Sequence, residues 1–423
     1  MSIILRNTTY IDWKTLLFKN TNIVVEQGLD KGVFFFDDYN NIEISDVDEV
    51  IDCAGKLVTK SFAIGHHHAY SALARGIPPP KHTPSNFHEI LKYIWWNLDK
   101  ALDANMIEAS AFATAIACAK AGSTFVIDHH ASPNFIKGSL EIIAHTFDKV
   151  GVSHLLCYEV TDRDGLDKAQ LGLEETDNYL SKNQGLVGLH ASFTVGNSTL
   201  KQAVELMQKH ESGIHIHVAE DSYDQQQCMQ NYNGRVVERL NDFGVLDSPK
   251  TILAHCLHID DNERLLLGNS PAYVVQNTES NLNNAVGYFN SANLGDNIFL
   301  GTDGMHSDMI RSAQSAFFVG QANDSIDFLT AYYRFRKVHN YISNNDFAGD
   351  GENNLVIFDY DSPTDVNDEN FLGHFIYGLT SNHIQHVISN GKLIVKDKLI
   401  QTVDEKEIIK FTKEQAVRLW GKL

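Results

Sequence analysis

The sequence predicts an α/β fold: a (β/α)₈ TIM barrel with a small β-sandwich domain formed by both termini. Two observations predict it. Apolar strand-like runs alternate with amphipathic helical runs through residues 57–345, a length that suits eight strand–helix units. Shorter strand-like runs separated by turns occupy both ends of the chain, residues 1–56 and 346–423. A doubly wound sheet would alternate similarly, but no GxGxxG motif follows an early strand, which also weakens a nucleotide-binding oxidoreductase as an interpretation.

The two ends of the chain share one β-rich pattern. The N-terminal runs are IILRN, TLLFK, NIVVEQG and GVFFFDD, without a helical period. The C-terminal runs are NLVIFDY, HFIYG and IQHVISNGKLIVKDKLI, followed by a short terminal helix in KEQAVRLW. Asn390-Gly391 between apolar runs predicts a two-residue hairpin. Two β-rich ends around a different middle predict one domain built from both.

The middle of the chain carries eight candidate strands. They are FAIGH (62–66), TFVIDHH (124–130), SHLLCYEV (153–160), LVGLHA (186–191), GIHIHVAE (213–220), TILAHC (251–256), AYVVQN (272–277) and NIFLGTD (297–303). Helical runs such as MIEASAFATAIACAKAG and LKQAVELMQKH separate them. The long, proline-rich connection after the first strand, SALARGIPPPKHTPSNFHEI, has the length of a lid or binding loop.

The composition excludes several classes of partner. The formal net charge of −20 argues against a nucleic-acid partner, which requires basic patches. The first residues lack the pattern of a signal peptide, and no apolar run is long enough to span a membrane. Five scattered cysteines without a CxxC motif are typical of reduced thiols. We therefore expect a cytoplasmic protein with a small-molecule substrate and no membrane or nucleic-acid partner. The sequence does not decide between a monomer and a homodimer.

Histidines and acids are concentrated where the predicted barrel strands end. His66 and His68 follow the first strand, His217 and Glu220 the fifth, His255 the sixth and Asp303 the eighth. Each has an ordinary explanation by itself, since a strand histidine is more often a core residue and an aspartate in GTDG more often a turn residue. Because barrel strands all end at one mouth, their presence at four strand ends predicts a metal site.

The spacing of these residues fits a metal site with an open position. His66 and His68 face the same side of a strand, whereas His67 faces away. Three imidazoles and a carboxylate form an N₃O set that suits Zn²⁺ or Fe²⁺. A position left open admits water, whose pKa falls towards neutrality on the metal. Glu220 lies three residues beyond His217, where it could reach the pocket without binding the metal.

These motifs resemble those of the amidohydrolase superfamily, in the aminohydrolase and chlorohydrolase branch that includes cytosine, guanine and S-adenosylhomocysteine deaminases. The matching motifs are GHHHAYSALARG (65–76), HIHVAE (215–220), LAHCLH (253–258), NTESNLNNAVG (277–287) and LGTDG (300–304). Within this branch IWWNLDKALD (94–103), IDHHASPN (127–134) and CYEVTDRDG (157–165) resemble SsnA-type aminohydrolases. One departure is Lys60-Ser61, which stands where relatives usually carry Pro-Gly.

The resemblance implies roles for individual residues. The implied ligands of one divalent ion, Zn²⁺ or alternatively Fe²⁺, are His66, His68, His217 and Asp303. It makes Glu220 the proton shuttle, His255 the residue that orients or stabilises the attacking hydroxide, and Asp303 the acceptor of the water proton. His190 matches a position that contacts substrate, and Ser280 and Asn281 match a motif near the pocket floor. Trp95 and Trp96 are candidates for lining the substrate pocket, with core packing as the alternative.

The implied activity is metal-dependent hydrolytic deamination of a nitrogen heterocycle. Hydrolytic dechlorination of a similar ring and a non-catalytic metal-binding paralogue are the alternatives; the complete ligand set argues against the second. A single metal ion is expected, because the fourth strand (GLVGLHASFTVG, 185–196) offers no lysine or carboxylate to bridge two ions. Asp128, His129 and His130 either contact substrate or brace the ligand histidines.

Overall fold

The computed structural model describes residues 2–28 and 32–423; Met1 and residues 29–31 of the predicted N-terminal segment lie outside the described residues. The strands are β1 (Ser2–Ile11), β2 (Phe18–Glu26), β3 (Val33–Phe36), β4 (Glu49–Asp52), β5 (Leu57–Lys60), β6 (Phe62–His67), β7 (Ser123–His130), β8 (Ser153–Tyr158), β9 (Val187–Ala191), β10 (Ile214–Val218), β11 (Ile252–His255), β12 (Tyr273–Gln276), β13 (Ile298–Leu300), β14 (Leu355–Phe358), β15 (Ile384–Ser389), β16 (Lys392–Lys396) and β17 (Leu399–Ile400).

Helices follow most of the barrel strands. They are α1 (Phe87–Ile90), α2 (Trp96–Ala101), α3 (Ala104–Lys120), α4 (Ser139–Val150), α5 (Leu166–Leu180), α6 (Asn197–Lys209), α7 (Ser222–Tyr232), α8 (Val236–Asp242), α9 (Asp261–Gly268), α10 (Thr278–Asn283), α11 (Met309–Asn323), α12 (Phe328–Asn344), α13 (Phe371–Tyr377) and α14 (Glu405–Trp420). A π-helical turn over Leu91–Trp95 joins α1 to α2. No helix among the described residues has the length and apolar character needed to cross a membrane.

Strands β6 to β13 form the barrel. Parallel pairing runs through β6–β7–β8 and through β9–β13. Backbone bridges between Val160 and Leu189, and between His67 and Asp303, connect these two sheets into a ring. The ring confirms the predicted fold class, and each observed barrel strand overlaps a run that the sequence predicts.

Alternation along the barrel strands separates two cores. Phe125 and Ile127 of β7 pack inside the barrel, where Tyr341 of α12 also lies. Val126, between them, packs in the large core that also takes in the surrounding helices. This period of two follows from strand geometry, and burial on both faces explains the nearly continuous apolar runs of the sequence.

Both termini contribute to a single nine-stranded mixed sheet. Its order is β17-β16-β15-β14-β5-β1-β2-β3, with β4 paired to β1. Strand β5 pairs in parallel with β1 and antiparallel with β14, so this sheet extends to Lys60, past the predicted domain boundary at residue 56. Asn390 and Gly391 both have positive φ between β15 and β16, which confirms the predicted hairpin.

One predicted C-terminal strand is wrong. The HFIYG run belongs to helix α13, in which Phe371, Phe375 and Ile376 are buried. Phe371 and Phe375 are four residues apart, so they share one face of a helix, and Ile376 lies next to it. A short apolar run such as HFIYG fits the period of a strand as well as that of a helix. The buried position before His374 decides in favour of the helix.

Close backbone approach fixes the seam between the first and last barrel strands. A Cβ atom on Gly65 would lie 2.3 Å from the Phe299 ring, and one on Gly301 would lie 2.9 Å from the His66 Cβ. Only glycine fits at such an approach, so these residues allow β6 and β13 to bring their loops together. All five cysteines are buried and free, as the sequence predicts.

Candidate active site

The four predicted metal ligands lie together at the carboxyl end of the barrel. The Nε2 atoms of His68 and His217 are 3.1 Å apart. The Oδ1 atom of Asp303 lies 3.1 Å from the Nε2 atom of His68 and 3.6 Å from that of His66. Four side chains from three strands thus converge on one point, which is the arrangement that a divalent cation requires.

Unusual backbone conformations aim these side chains at the centre. Ala219, His255 and Asp303 follow or end barrel strands and have φ values of 46°, 74° and 51°. The left-handed region is costly for residues other than glycine and persists where surrounding structure enforces it. The carboxylate of Asp303 and the ring of His255 are therefore held by strained turns of the kind common at active sites.

Hydrogen bonds to backbone carbonyls fix the imidazole tautomers. The Nδ1–H of His68 donates to the His129 carbonyl at 2.6 Å, and that of His217 donates to the His190 carbonyl at 2.7 Å. In the neutral form of each ring the Nε2 atom therefore carries the lone pair. The Nδ1 atom of His66 lies 2.9 Å from the His215 Nε2. The buried Nε2 atom of His66 has no hydrogen-bond partner among the described residues, as expected for an atom reserved for a ligand.

The charges of this cluster also suit a cation. Burial lowers the pKa of His66 to about 3, so its ring is neutral. Burial would raise the pKa of Asp303, but its contacts with His66 and His68 hold that pKa well below the usual range. Burial would lower the pKa of His68, but Asp303 raises it to about 9, so this ring gives up a proton when a cation binds. Three imidazoles and one ionised carboxylate then form the N₃O set that a divalent ion prefers, so the residues present fit the metal.

Glu220 and His255 lie at the edge of this cluster. The Oε2 atom of Glu220 is 3.5 Å from the Nε2 of His255, which is itself 3.7 Å from Asp303 Oδ2. The Nδ1–H of His255 donates to Asn281 Oδ1 at 2.8 Å. Burial raises the pKa of Glu220 to about 7, although His255 counteracts that effect. A carboxyl group with such a pKa can both accept and deliver a proton near neutral pH.

A cavity of about 620 Å³, partly open to solvent, lies over these residues. We call it the central cavity. His190, Trp95 and Trp96 line it, as the sequence suggests for substrate contacts, and so does Ser280. The two tryptophans follow α1 on the π-helical turn and the start of α2, and such irregular turns are frequent at functional sites. The end of the long connection after β6 therefore forms one wall of the cavity.

Sequence reasoning missed three charged residues of the central cavity, namely Asp99, Glu159 and Arg163. Glu159 Oε2 lies 3.1 Å from His129 Nδ1, and Arg163 forms an ion pair with Asp99. Burial opposes the ionised form of Glu159, but the nearby histidines and Arg163 hold its pKa well below the usual range. Burial raises the pKa of Asp99 to about 7. Glu159 could have been found from the sequence, because this acid comes directly after the third barrel strand, as the other candidate site residues follow their own strands.

Asp128, His129 and His130 surround the ligand histidines and do not line the central cavity. All three are fully buried. Asp128 Oδ1 accepts the Ala69 amide at 2.6 Å, and the His129 carbonyl holds His68. Of the two roles that the sequence leaves open, their contacts favour bracing of the ligands.

The sequence of the chain is similar to those of known deaminases. The chain is 25% identical over 445 aligned residues to a 5-methylthioadenosine/S-adenosylhomocysteine deaminase of Thermoanaerobacter pseudethanolicus, covering 99% of both chains. It is 26% identical to a 5'-deoxyadenosine deaminase of Methanopyrus kandleri, over 77% of this chain and 78% of the relative.

Solved structures share the fold. An adenosine deaminase from Xanthomonas campestris with bound zinc superposes with a TM-score of 0.82 at 16% identity, covering 99% of this chain and 98% of that one. An atrazine chlorohydrolase from Arthrobacter aurescens, complexed with zinc, superposes with a TM-score of 0.80 at 14% identity, over 98% and 100% of the two chains. The sequence model of the amidohydrolase family matches residues 65–394. This match spans most of the chain, and the chain belongs to the amidohydrolase family.

Proposed function

We propose that this protein hydrolytically deaminates a nitrogen heterocycle with one divalent metal ion. The observation that carries the proposal is the convergence of three imidazoles, an ionised carboxylate and a separate protonatable carboxyl group at one end of the barrel. Relatives that match 99% and 77% of the chain are named as deaminases of 5-methylthioadenosine/S-adenosylhomocysteine and of 5'-deoxyadenosine, which supports the choice of reaction.

His66, His68, His217 and Asp303 would hold the ion. Zn²⁺ is the first choice and Fe²⁺ the alternative, because an N₃O set suits both. When bound, the ion lowers the pKa of water towards neutrality and so supplies a nucleophile. Asp303 contacts His66 and His68 and keeps its charge, so it can accept the proton of the attacking water.

Glu220 would move protons between water, ring and leaving amine. Its pKa of about 7 allows the carboxyl form to donate to a ring nitrogen and the carboxylate form to take a proton up again. His255 would orient the attacking water, since Asn281 fixes its tautomer and leaves the Nε2 lone pair towards Glu220 and Asp303. His190, Trp95 and Trp96 would contact the substrate ring from the walls of the central cavity.

Ammonia release tests the proposal. Purified protein loaded with Zn²⁺ or Fe²⁺ would be assayed against amino-substituted purines, pyrimidines, pterins and triazines by a coupled ammonia assay. We expect ammonia from at least one ring and none from the Glu220→Gln variant. Glu205→Gln, at an exposed position on α6, is the matched control and should retain activity. Chloride release without ammonia would favour the dechlorinase alternative, and inactivity on every ring would favour a non-catalytic paralogue.

The remaining sequence predictions belong to the same proposal. They are the division of the chain into domains at residues 1–56, 57–345 and 346–423, a cytoplasmic location, and a homodimer with the monomer as the alternative. Free, buried cysteines are in keeping with a reducing compartment. Light scattering of the purified chain would decide between monomer and dimer.

A further inference from the structure

One wall of the central cavity carries polar atoms that take no part in the proposed metal binding and proton transfer. These atoms belong to Glu159 at the end of the third barrel strand, to Arg163 on the loop after it, and to His190 of β9. The side chains of Arg163 and Glu159 are only 8% and 3% exposed, so their positions are fixed by packing. We call these three residues the recognition wall.

Arg163 is held firmly but keeps one free donor group. Its Nε–H donates to Asp164 Oδ2 at 3.1 Å, and its second terminal nitrogen pairs with Asp99. The guanidinium lies 5.0 Å from the centre of the Trp96 ring, an arrangement typical of a cation–π contact. The remaining terminal nitrogen is 3.6 Å from Glu159 Oε1, beyond hydrogen-bond distance. This nitrogen can therefore donate to a molecule in the cavity.

Glu159 and His190 supply acceptors beside that donor. The Oε1 atom of Glu159 makes no hydrogen bond among the described residues and lies 3.9 Å from the His190 Nε2. The Thr194 hydroxyl donates to the Ala191 carbonyl at 3.1 Å, so it accepts the Nδ1–H of His190 at 2.7 Å. The Nε2 atom of His190 therefore has a lone pair. The recognition wall thus offers one donor next to two acceptors.

We propose that Glu159 and Arg163 recognise an N–H group next to a carbonyl on the substrate ring. The Glu159 carboxylate accepts the ring N–H, the free nitrogen of Arg163 donates to the neighbouring carbonyl oxygen, and His190 accepts a further ring N–H. This assignment rests on the proposed function and narrows it to oxo-substituted heterocycles with a lactam-type or urea-type edge.

Calorimetric binding tests this inference without turnover. The probes are oxo-purines, oxo-pyrimidines and pterins that lack a leaving amine, each paired with the derivative methylated on its lactam nitrogen. Binding is measured on the metal-loaded wild-type protein. We expect the N–H form to bind on the order of 10–100-fold more tightly than the N-methyl form, because methylation leaves buried polar groups unpaired. Equal affinities within every pair, or no binding by any ring, would overturn the inference.

Variants assign the preference to the recognition wall. Glu159→Met should bring the affinity ratio of a pair close to one, whereas Glu159→Gln, which keeps an acceptor oxygen, should retain part of it. Glu205→Met is the exposed control and should keep the full ratio. An unchanged ratio in a folded Glu159→Met protein contradicts the assignment; if that variant does not fold, the wild-type pairs still decide. Ammonia release only from rings without such an edge would support the proposed function and refute this inference.

Discussion

Replacing Glu220 by glutamine separates catalysis from stability. The amide of the Glu220→Gln variant cannot transfer a proton, so turnover should fall on the order of 10²–10⁴-fold, the usual contribution of general acid–base catalysis. The amide fits the site: its oxygen can accept from Asn284 Nδ2, now 3.3 Å from Glu220 Oε1, and its N–H can donate to the His255 Nε2 lone pair. Metal content should be unchanged, since Glu220 is not among the proposed ligands.

Although Glu220→Gln should lower turnover, it should not lower the stability of the metal-free protein at neutral and higher pH. Burial raises the pKa of Glu220 from 4.5 to about 7, so the folded protein holds this proton more tightly than the unfolded chain does. The stability that the neutral group contributes is full below pH 4.5 and is lost as pH rises to about 7, a difference of roughly 3 kcal/mol. Above that pH the metal-free Glu220→Gln protein should be as stable as the wild type, or more stable by up to this amount.

Urea unfolding of the metal-free proteins at pH 8 and at pH 4.5 measures this difference, and the ammonia assay measures turnover. In the wild type, kcat/KM should fall as pH rises through the pKa of Glu220, at or below about 7 because a bound cation favours the carboxylate. That decline should be missing from the residual activity of the variant. Normal turnover by Glu220→Gln, or loss of both metal and fold, would refute the assigned role.

Three further predictions concern the metal, the product and the sheet. His217→Ala should lower metal occupancy sharply in elemental analysis, whereas equal occupancy would contradict its role as a ligand. The physiological substrate should release ammonia rather than halide, which ion chromatography of a metabolite screen would decide. Lys60→Met should destabilise the protein by about 3–5 kcal/mol in urea unfolding, because it removes the ammonium group 3.2 Å from the buried Asp350 carboxylate and leaves that carboxylate with His339 alone as an ion-pair partner in the described chain; an unchanged midpoint would contradict this.

The barrel could be predicted because each of its strands and helices leaves a pattern within a short stretch of the sequence. Each strand is buried on both faces, so the sequence carries an apolar run at every strand, and a helix follows within a short distance. The metal ligands could be predicted as well, because all barrel strands end at the same mouth of the barrel. His66, His68, His217 and Asp303 therefore meet as expected, although they lie far apart in sequence.

The recognition wall could not be predicted in this way. The ion pair between Asp99 and Arg163 joins helix α2 to the loop after β8, and nothing in either segment specifies the other. Likewise, the sequence does not reveal that β5 pairs with β1 and β14, because strand pairing between distant segments depends on the assembled sheet. Short apolar runs such as HFIYG fit both strand and helix, and packing decides between them.

The metal count depends on what the structure places near His217. The fourth barrel strand ends in His190 and contains no lysine or carboxylate, so the sequence predicts a single ion. The structure adds Glu159, which comes close to His190 and His217 and offers a carboxylate for a second site. One oxygen of Glu159, however, faces Arg163, whose fixed positive charge lies 3.6 Å away.

A second cation beside Glu159 would face two positive charges at once. It would be repelled by the first ion and by Arg163. The two groups of candidate ligands, His66–His68–His217 and Glu159–His190–His217, share a histidine and no carboxylate that could offset the repulsion. We therefore expect one ion per chain in elemental analysis, and one peak in anomalous diffraction at the metal edge. Removing the charge of Arg163 by substitution with methionine should not raise the count above one if the missing bridge is decisive. Two peaks about 3.5 Å apart in the wild type, the usual spacing of two-metal sites, would contradict the single-ion site and the proton-transfer role that Glu220 has in it.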